Sequence, residues 1–315
     1  MPVSAPQGLG KGVGMAIAAG ATSGVVVLSA ISGGGVGMAL AYLTPLPLLL
    51  IGLAFGGVPC LGASAVGAAI VAVAGLAALP AYLAIGALPA LVVTVAALYG
   101  RRDTGSLLVA LAAGAVLVMG LLALALPAGE AGIEAWLKGE AEPMIETGLP
   151  SAPAEVKAAV TAMWIAVLPA MVGSAWFVMA MVDGLIAQWA VTKAGHTQVP
   201  TPRYADVRLP LWLALAALAL GASSLMGGDS GYLARNAAIV LLLPYLMAGL
   251  ADLHGMLRQK PNGALWLGLF YGVFFALFGW AAMAVTAWGL VRQCFRSRRQ
   301  DPAQDQEDSD GSHSA

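Results

Sequence analysis

Nine stretches of this chain are apolar, at 13–31, 36–56, 58–79, 81–99, 105–126, 159–182, 209–226, 235–256 and 264–291. Each is about as long as a helix needs to be to cross a bilayer core about 30 Å thick, roughly 20 residues. Peptide groups in lipid find no water to bond, so each segment has to satisfy its own backbone, and a helix does that. Several runs are rich in valine and would read as strands in a soluble domain, but their length and continuity favour helix. Composition agrees: 60% of residues are hydrophobic and 10% charged, against about 45–50% and about 25% in a soluble domain. Too few polar residues are present to cover so much apolar surface. The expectation is therefore an all-α, polytopic transmembrane helix bundle of about eight or nine spans, covering 1–296. Residues 297–315 form a polar tail with Asp301, Asp305, Glu307, Asp308 and Asp310, too poor in apolar groups to fold and expected to be disordered.

The breaks between runs carry turn residues: Gly33-Gly34-Gly35, Gly56-Gly57-Val58-Pro59, Leu79-Pro80 and Arg101-Arg102-Asp103. Lys11 before the first run resembles the start of a secretory leader, but no clear A-x-A cleavage site follows and further apolar runs come at once, so a retained first span is expected. The largest internal loop, 127–158, holds six glutamates against Lys138 and Lys157. Within it Ile133, Trp136, Leu137, Met144 and Ile145 share a face at helical spacing, which predicts a short helix on the membrane surface, kinked or shortened by Pro143. Basic residues in short loops set orientation. Arg101 and Arg102, then Lys193, Arg203 and Arg208, then Arg258 and Lys260 recur every second break, so these loops share the cytoplasmic side, with the N-terminus, and the acidic loop lies outside. The last run resists this scheme. It has 28 residues, about 42 Å as a helix, and one crossing would put Arg292, Arg296, Arg298 and Arg299 on the wrong side unless the run bends, for example at Gly279, and returns. The bilayer is the first expected partner, and a bacterial inner (cytoplasmic) membrane the expected location.

Several function classes fall away. Net charge is −1 and no basic stripe interleaves with aromatics, so nucleic acid is not an expected partner. Cys60 and Cys294 make no disulfide framework and no metal-ligand spacing. Gly228-Asp229-Ser230-Gly231 spells a serine-protease string without a placed histidine base and reads as a loop turn. Gly8-Leu9-Gly10-Lys11-Gly12 lacks the spacing and the hydroxyl of a phosphate loop. No ATPase site, cofactor, metal site or catalytic residue is expected, and the chain is not read as an enzyme.

The remaining candidates lie within the spans. Ala16, Gly20 and Gly24 share a face of the first run, and Gly33/Gly37, Gly52/Gly56 and Gly268/Gly272 have the same spacing. Such faces admit another backbone closely, first for packing within the chain and second for docking a partner. Thr44-Pro45-Leu46-Pro47 interrupts the second run: Pro45 and Pro47 remove two backbone donors, and transporters build binding sites at such interruptions. In the eighth run Tyr245, Gly249 and Asp252 share one face, with Asn236 and His254 nearly opposite. Ionisable groups inside a span are functional candidates by default, so Tyr245, Asp252 and His254 join Pro45 and Pro47 as candidate substrate-binding residues. Asp183 ends the sixth run, and its helix is expected to continue toward Thr192 past Gln188 and Trp189.

Three segments carry a family resemblance: Tyr42-Leu43-Thr44-Pro45-Leu46-Pro47-Leu48; Asn236 through Pro244-Tyr245 to Gly249-Leu250-Ala251-Asp252-Leu253-His254; and Gly289-Leu290-Val291-Arg292-Gln293-Cys294-Phe295-Arg296. Together they resemble the YybS-like family of bacterial multi-pass membrane proteins, over most of residues 10–296. The family often has an acidic residue after the closing Gly-Leu, where this chain has Val291-Arg292. The resemblance implies a fold distantly similar to the substrate-binding S-components of energy-coupling-factor transporters and to MreD-type cell-shape proteins. It implies a small-molecule-binding subunit that docks a membrane partner through its first helix, where Ala16, Gly20 and Gly24 would match. The alternative is a scaffold in an envelope or cell-shape complex.

Overall fold

The computed structural model describes residues 7–31, 35–100, 104–201 and 207–298. Arg101, Arg102, Arg203, Gly33 and the tail from residue 299 lie outside the described residues. The described residues are mostly helical, with no strand among them, and several apolar helices are packed into one polytopic bundle.

The first run becomes α1 (Gln7–Ile31). The second is interrupted, as α2 (Gly35–Ala41) and α3 (Leu46–Phe55), with turns between them. Next come α4 (Gly57–Ala74), α5 (Leu79–Tyr82), a single π-helical turn at Leu83–Ala87, and α6 (Leu88–Tyr99), followed by α7 (Thr104–Ala125). The acidic loop folds as α8 (Ile133–Gly148). A helix of 40 residues, α9 (Ala154–Lys193), continues beyond Thr192 as expected. Then follow α10 (Leu211–Ser223), α11 (Gly228–Leu241), α12 (Leu243–Arg258), α13 (Gly263–Ala276) and α14 (Phe278–Arg298).

Among the described residues six helical stretches are long and apolar enough to cross a membrane: Gly12–Ile31, Gly57–Ala74, Leu76–Tyr99, Thr104–Ala125, Ala154–Lys193 and Gly228–Arg258. Two of the nine runs give shorter apolar helices, Ala39–Phe55 and Leu211–Met226. The last run gives α13 and α14, bent by 118°. Leu277, two residues before Gly279, sits at the bend.

Neighbour contacts set the direction of each helix. Gly20 lies on Ala63 and Gly24 on Gly67, so α1 and α4 are parallel. Trp176 reaches Ala84 and Gly184 meets Val93, so α9 runs with α6. Gly114 meets Trp176 while Gly173 faces Ala115, so α7 runs against them. Tyr232 meets Ile165 and Val240 meets Gly173, so α11 runs with α9. The end of α3 meets the segment just after α9, through Gln198 on the Ala54 carbonyl. Thus α3, α6, α9 and α12 finish at one end of the bundle, with Lys193, Arg258 and Lys260. The acidic α8 lies at the other end, where the Asp229 carboxylate accepts the Ile133 N–H at 2.8 Å. The bend between α13 and α14 resolves the awkward last run. It returns the chain so that Arg292 and Arg296 lie against Asp252, in the half of α12 that leads to Arg258.

Two local expectations change. Gly228-Asp229-Ser230-Gly231 opens a helix rather than forming a loop turn: Gly227 and Gly228 have φ of 73° and 59°, and Asp229 stands in the first turn of α11. Pro143 does not end α8, which continues to Gly148. Exposed backbone on a surface helix tolerates one missing bond. Of the face predicted for α8, Ile133 is buried, Trp136, Leu137 and Ile145 are half-buried, and Met144 is exposed.

Candidate functional site

The polar chemistry of the bundle gathers where its helices are interrupted. A proline within a helix leaves the carbonyl four residues before it without a donor, and such a carbonyl in lipid must be satisfied by protein.

At Pro45 and Pro47 the chain turns at 42–45 before α3 begins. Pro45 is buried and Pro47 half-buried. The Thr44 carbonyl accepts the Ser23 hydroxyl of α1 at 2.8 Å. Tyr82 lies alongside, its hydroxyl donating to the Ser64 carbonyl at 3.2 Å, and Gly86 leaves room for the Thr44 methyl and the Tyr82 ring. The Thr44 side chain is fully buried and its Oγ1 has no partner among the described residues.

At Pro89 the preceding turn is π-helical, with the Leu88 N–H on the Leu83 carbonyl. The same register would pair the Ala84 carbonyl with residue 89, which has no N–H. The indole of Trp176, on α9, donates to that carbonyl at 2.7 Å.

At Pro169, inside α9, the orphaned carbonyl is that of Ile165, and the Tyr232 hydroxyl donates to it at 2.6 Å. Beside it Asn236 spans the loosened turn. Its Oδ1 accepts the Ala170 N–H at 3.0 Å, and its Nδ2 donates to the Ala166 carbonyl at 3.2 Å. Arg235 donates to the same carbonyl at 3.0 Å. The bond from Nδ2 to the Tyr232 carbonyl, 2.9 Å, anchors the amide to its own helix.

A fourth irregular segment enters between α9 and α10. Val207 and Leu209 of this extended strap are buried. Gln293 of α14 holds it with both ends of its amide: Nε2 donates to the Val207 carbonyl at 2.9 Å and Oε1 accepts the Leu209 N–H at 3.2 Å. Tyr245, 1% exposed, donates from its hydroxyl to the Pro210 carbonyl at 3.1 Å. Asp252 pairs with Arg292 at 3.1 Å and with Arg296 at 3.2 Å, and Arg296 also donates to the Val207 carbonyl. His254 is separate, its Nδ1 3.1 Å from the Tyr271 hydroxyl of α13.

The sequence candidates therefore fall into three places. Pro45 and Pro47 shape the turn between α2 and α3, which packs on α1 and α5. Tyr245 and Asp252 face protein and tie α12 to the strap and to α14, while His254 ties α12 to α13. Ala16, Gly20 and Gly24 are buried against other parts of the chain: a side chain on Gly20 would strike the Ala63 carbonyl, and one on Gly24 the Gly67 carbonyl. That face is closed by α4 rather than open to lipid. Of the other pairs, Gly52 packs on Thr94, whereas Gly268 and Gly272 have open space beside them. Pro89, Pro169, Tyr232 and Trp176 were not singled out from the sequence. Their signal is a proline in the middle of an apolar run, but the residue that answers it lies 67 or 92 positions away.

Among the described residues no group of three or more His, Cys, Asp and Glu side chains is placed to hold a metal ion. No family model, curated protein or solved structure matches the chain.

Proposed function

We propose that this chain is a transporter-like, small-molecule-binding membrane subunit of a bacterial inner membrane, with no ATPase of its own. The observation that carries the reading is the interrupted second run. Within its turn Thr44 and Pro45 are buried while Tyr42 and Leu43 are exposed, and the Thr44 hydroxyl has no partner among the described residues. An unpaired buried hydroxyl costs about 1–3 kcal/mol, and broken helices of this kind are how transporters present polar groups to substrate. The interruptions at Pro89 and Pro169 support the same reading, since each loosens a helix at a point where a neighbour holds it by side-chain bonds. In this proposal Thr44, Pro45 and Pro47 bound the ligand. Tyr245, Asp252 and His254 hold α12 to the strap, to α14 and to α13. The resemblance to YybS-like proteins belongs to the proposal too, and two of the segments that carry it, in α12 and α14, pack on each other.

A ligand that binds the folded state raises its melting temperature. Thermal-shift screening of the purified protein against vitamins, nucleobases and metal ions is expected to find a stabilising compound. Thr44→Val, which keeps the shape and removes the hydroxyl, should lose that shift. If nothing stabilises the wild type, or the variant responds equally, the proposal fails. The scaffold alternative has its own support: the polar side chains at the α12–α14 crossing are engaged within the chain, as a purely structural role would have them.

A further inference from the structure

Asp183 is 1% exposed, and its Oδ2 has no hydrogen-bond partner among the described residues. Its depth follows from its neighbours. Gly114, at the middle of α7, lies beside Trp176, seven residues before Asp183 on α9, or about 10 Å along the helix axis. The half-thickness of a bilayer core is about 15 Å, so the carboxyl lies inside the hydrocarbon layer. The next residue, Gly184, packs on Val93 of α6, and Ala180 and Ala187, one turn to either side, are fully buried.

Among the described residues, no charge on the surrounding elements reaches it. Of the helices packed on α9, α3, α6 and α7 contain no Asp, Glu, Lys, Arg or His, and Tyr99 is the titratable residue they hold. Tyr232 and Arg235 of α11 meet α9 at Ile165 and Ala166, seventeen or more residues earlier, at least about 25 Å. Asp229 and the charged residues of α8 (Glu134, Lys138, Glu140, Glu142 and Glu146), with Glu155 and Lys157 of α9 itself, belong to the acidic end. Lys193 is ten residues on, about 15 Å, and lies over the Trp189 ring. In the segments after α9, His196 faces Phe55 and Arg208 is exposed.

A bare carboxylate so placed, with neither a counter-ion nor a donor, costs several kcal/mol. A bound cation removes that cost. A metal cation needs several oxygens converging on it, whereas a proton needs one. We propose that Asp183 is an intramembrane proton-binding site: its carboxyl takes up H⁺ to sit neutral in the core, and it releases H⁺ to water only when the helix moves to admit it. This does not depend on the transporter proposal, since a scaffold with the same core would hold the same proton. In a transporter it would be the coupling ion.

Dicyclohexylcarbodiimide is apolar and adds to protonated carboxyls, ending as an N-acylurea on the side-chain carbonyl. Purified wild-type protein in detergent is treated with it across a range of pH, and the modified peptides are located by mass spectrometry. Asp183 is expected to be labelled in preference to Asp252 and the glutamates of α8, with labelling lost as pH rises and unchanged by sodium or potassium. In parallel, the wild-type melting temperature should fall as pH rises, because the unfolded chain gives up this proton before the folded one does. Asp183→Asn should lack that part of the fall. The proposal is overturned if Asp183 is unlabelled at every pH, if sodium protects it at constant pH, or if both proteins melt in parallel across the range. Labelling of the wild type decides the matter even if the variant does not fold.

Discussion

Where α1 meets α4, Gly20 and Gly24 lie on the backbone at Ala63 and Gly67, and the nearby polar ties are hydroxyls on carbonyls: Ser23 on Thr44, Tyr82 on Ser64. Where α12 meets α14, Gly249 and Gly289 again bring backbones together, but that crossing is also braced by Asp252 between Arg292 and Arg296. Lipid supplies no hydrophobic drive between helices, so both crossings depend on close contact through small residues. They differ in access to water. The two arginines keep 44% and 38% of their side-chain surface exposed, so their charges stay partly solvated and cost little to hold. Ser23, Tyr82 and Thr44 are fully buried, and a charge there would have no such outlet. The α1–α4 contact should therefore answer to volume and ignore salt, while the α12–α14 brace should answer to salt.

The largest effect is expected from Gly20→Leu. The first helix would accept leucine if that face pointed at lipid, but here the side chain meets the Ala63 carbonyl. Overpacking of this kind should cost about 3 kcal/mol or more. Unfolding in detergent is the measurement, and an unchanged stability would mean that α4 does not cover α1.

Tyr232→Phe comes next, at about 1–2 kcal/mol, because it strands the Ile165 carbonyl. Pro169→Ala restores the backbone donor to that carbonyl. In the Pro169→Ala background the same tyrosine change should cost much less, and equal costs in both backgrounds would break the link between proline and hydroxyl. Asp252→Asn should be milder, up to about 1 kcal/mol, since its partners are partly exposed. Its effect should shrink between low and high salt, whereas that of Gly20→Leu should not. The smallest is Lys138→Ala on α8. Its pair with Glu142, at 3.8 Å and well exposed, should contribute no more than about 0.5 kcal/mol, so a larger loss would mean that α8 is held through that charge.

Much of the fold was legible in the sequence. Nine apolar runs, their turn residues and the spacing of basic loops led to a helical membrane bundle with an acidic surface helix between α7 and α9. Length did not decide which runs become long helices: 36–56 breaks at Pro45, and 209–226 is shortened by the strap before it. The site was legible in part. Pro45, Pro47, Tyr245 and Asp252 could be singled out because prolines and polar groups are expensive in apolar runs. What answers them could not, because a hydrogen-bond partner on another helix leaves no local pattern.

The sequence by itself determined the solvent this protein lives in, since a chain with so few charges and such long continuous apolar runs satisfies its backbone as helices in lipid. It also determined where those helices would be weak, because a proline removes its N–H wherever it stands. Only the tertiary structure decided which neighbour repairs each weakness, that α4 rather than a partner covers Gly20, and that the last run bends back to set Arg292 and Arg296 on Asp252. Those outcomes depend on which faces meet across tens of residues, and helical periodicity states only that a face exists.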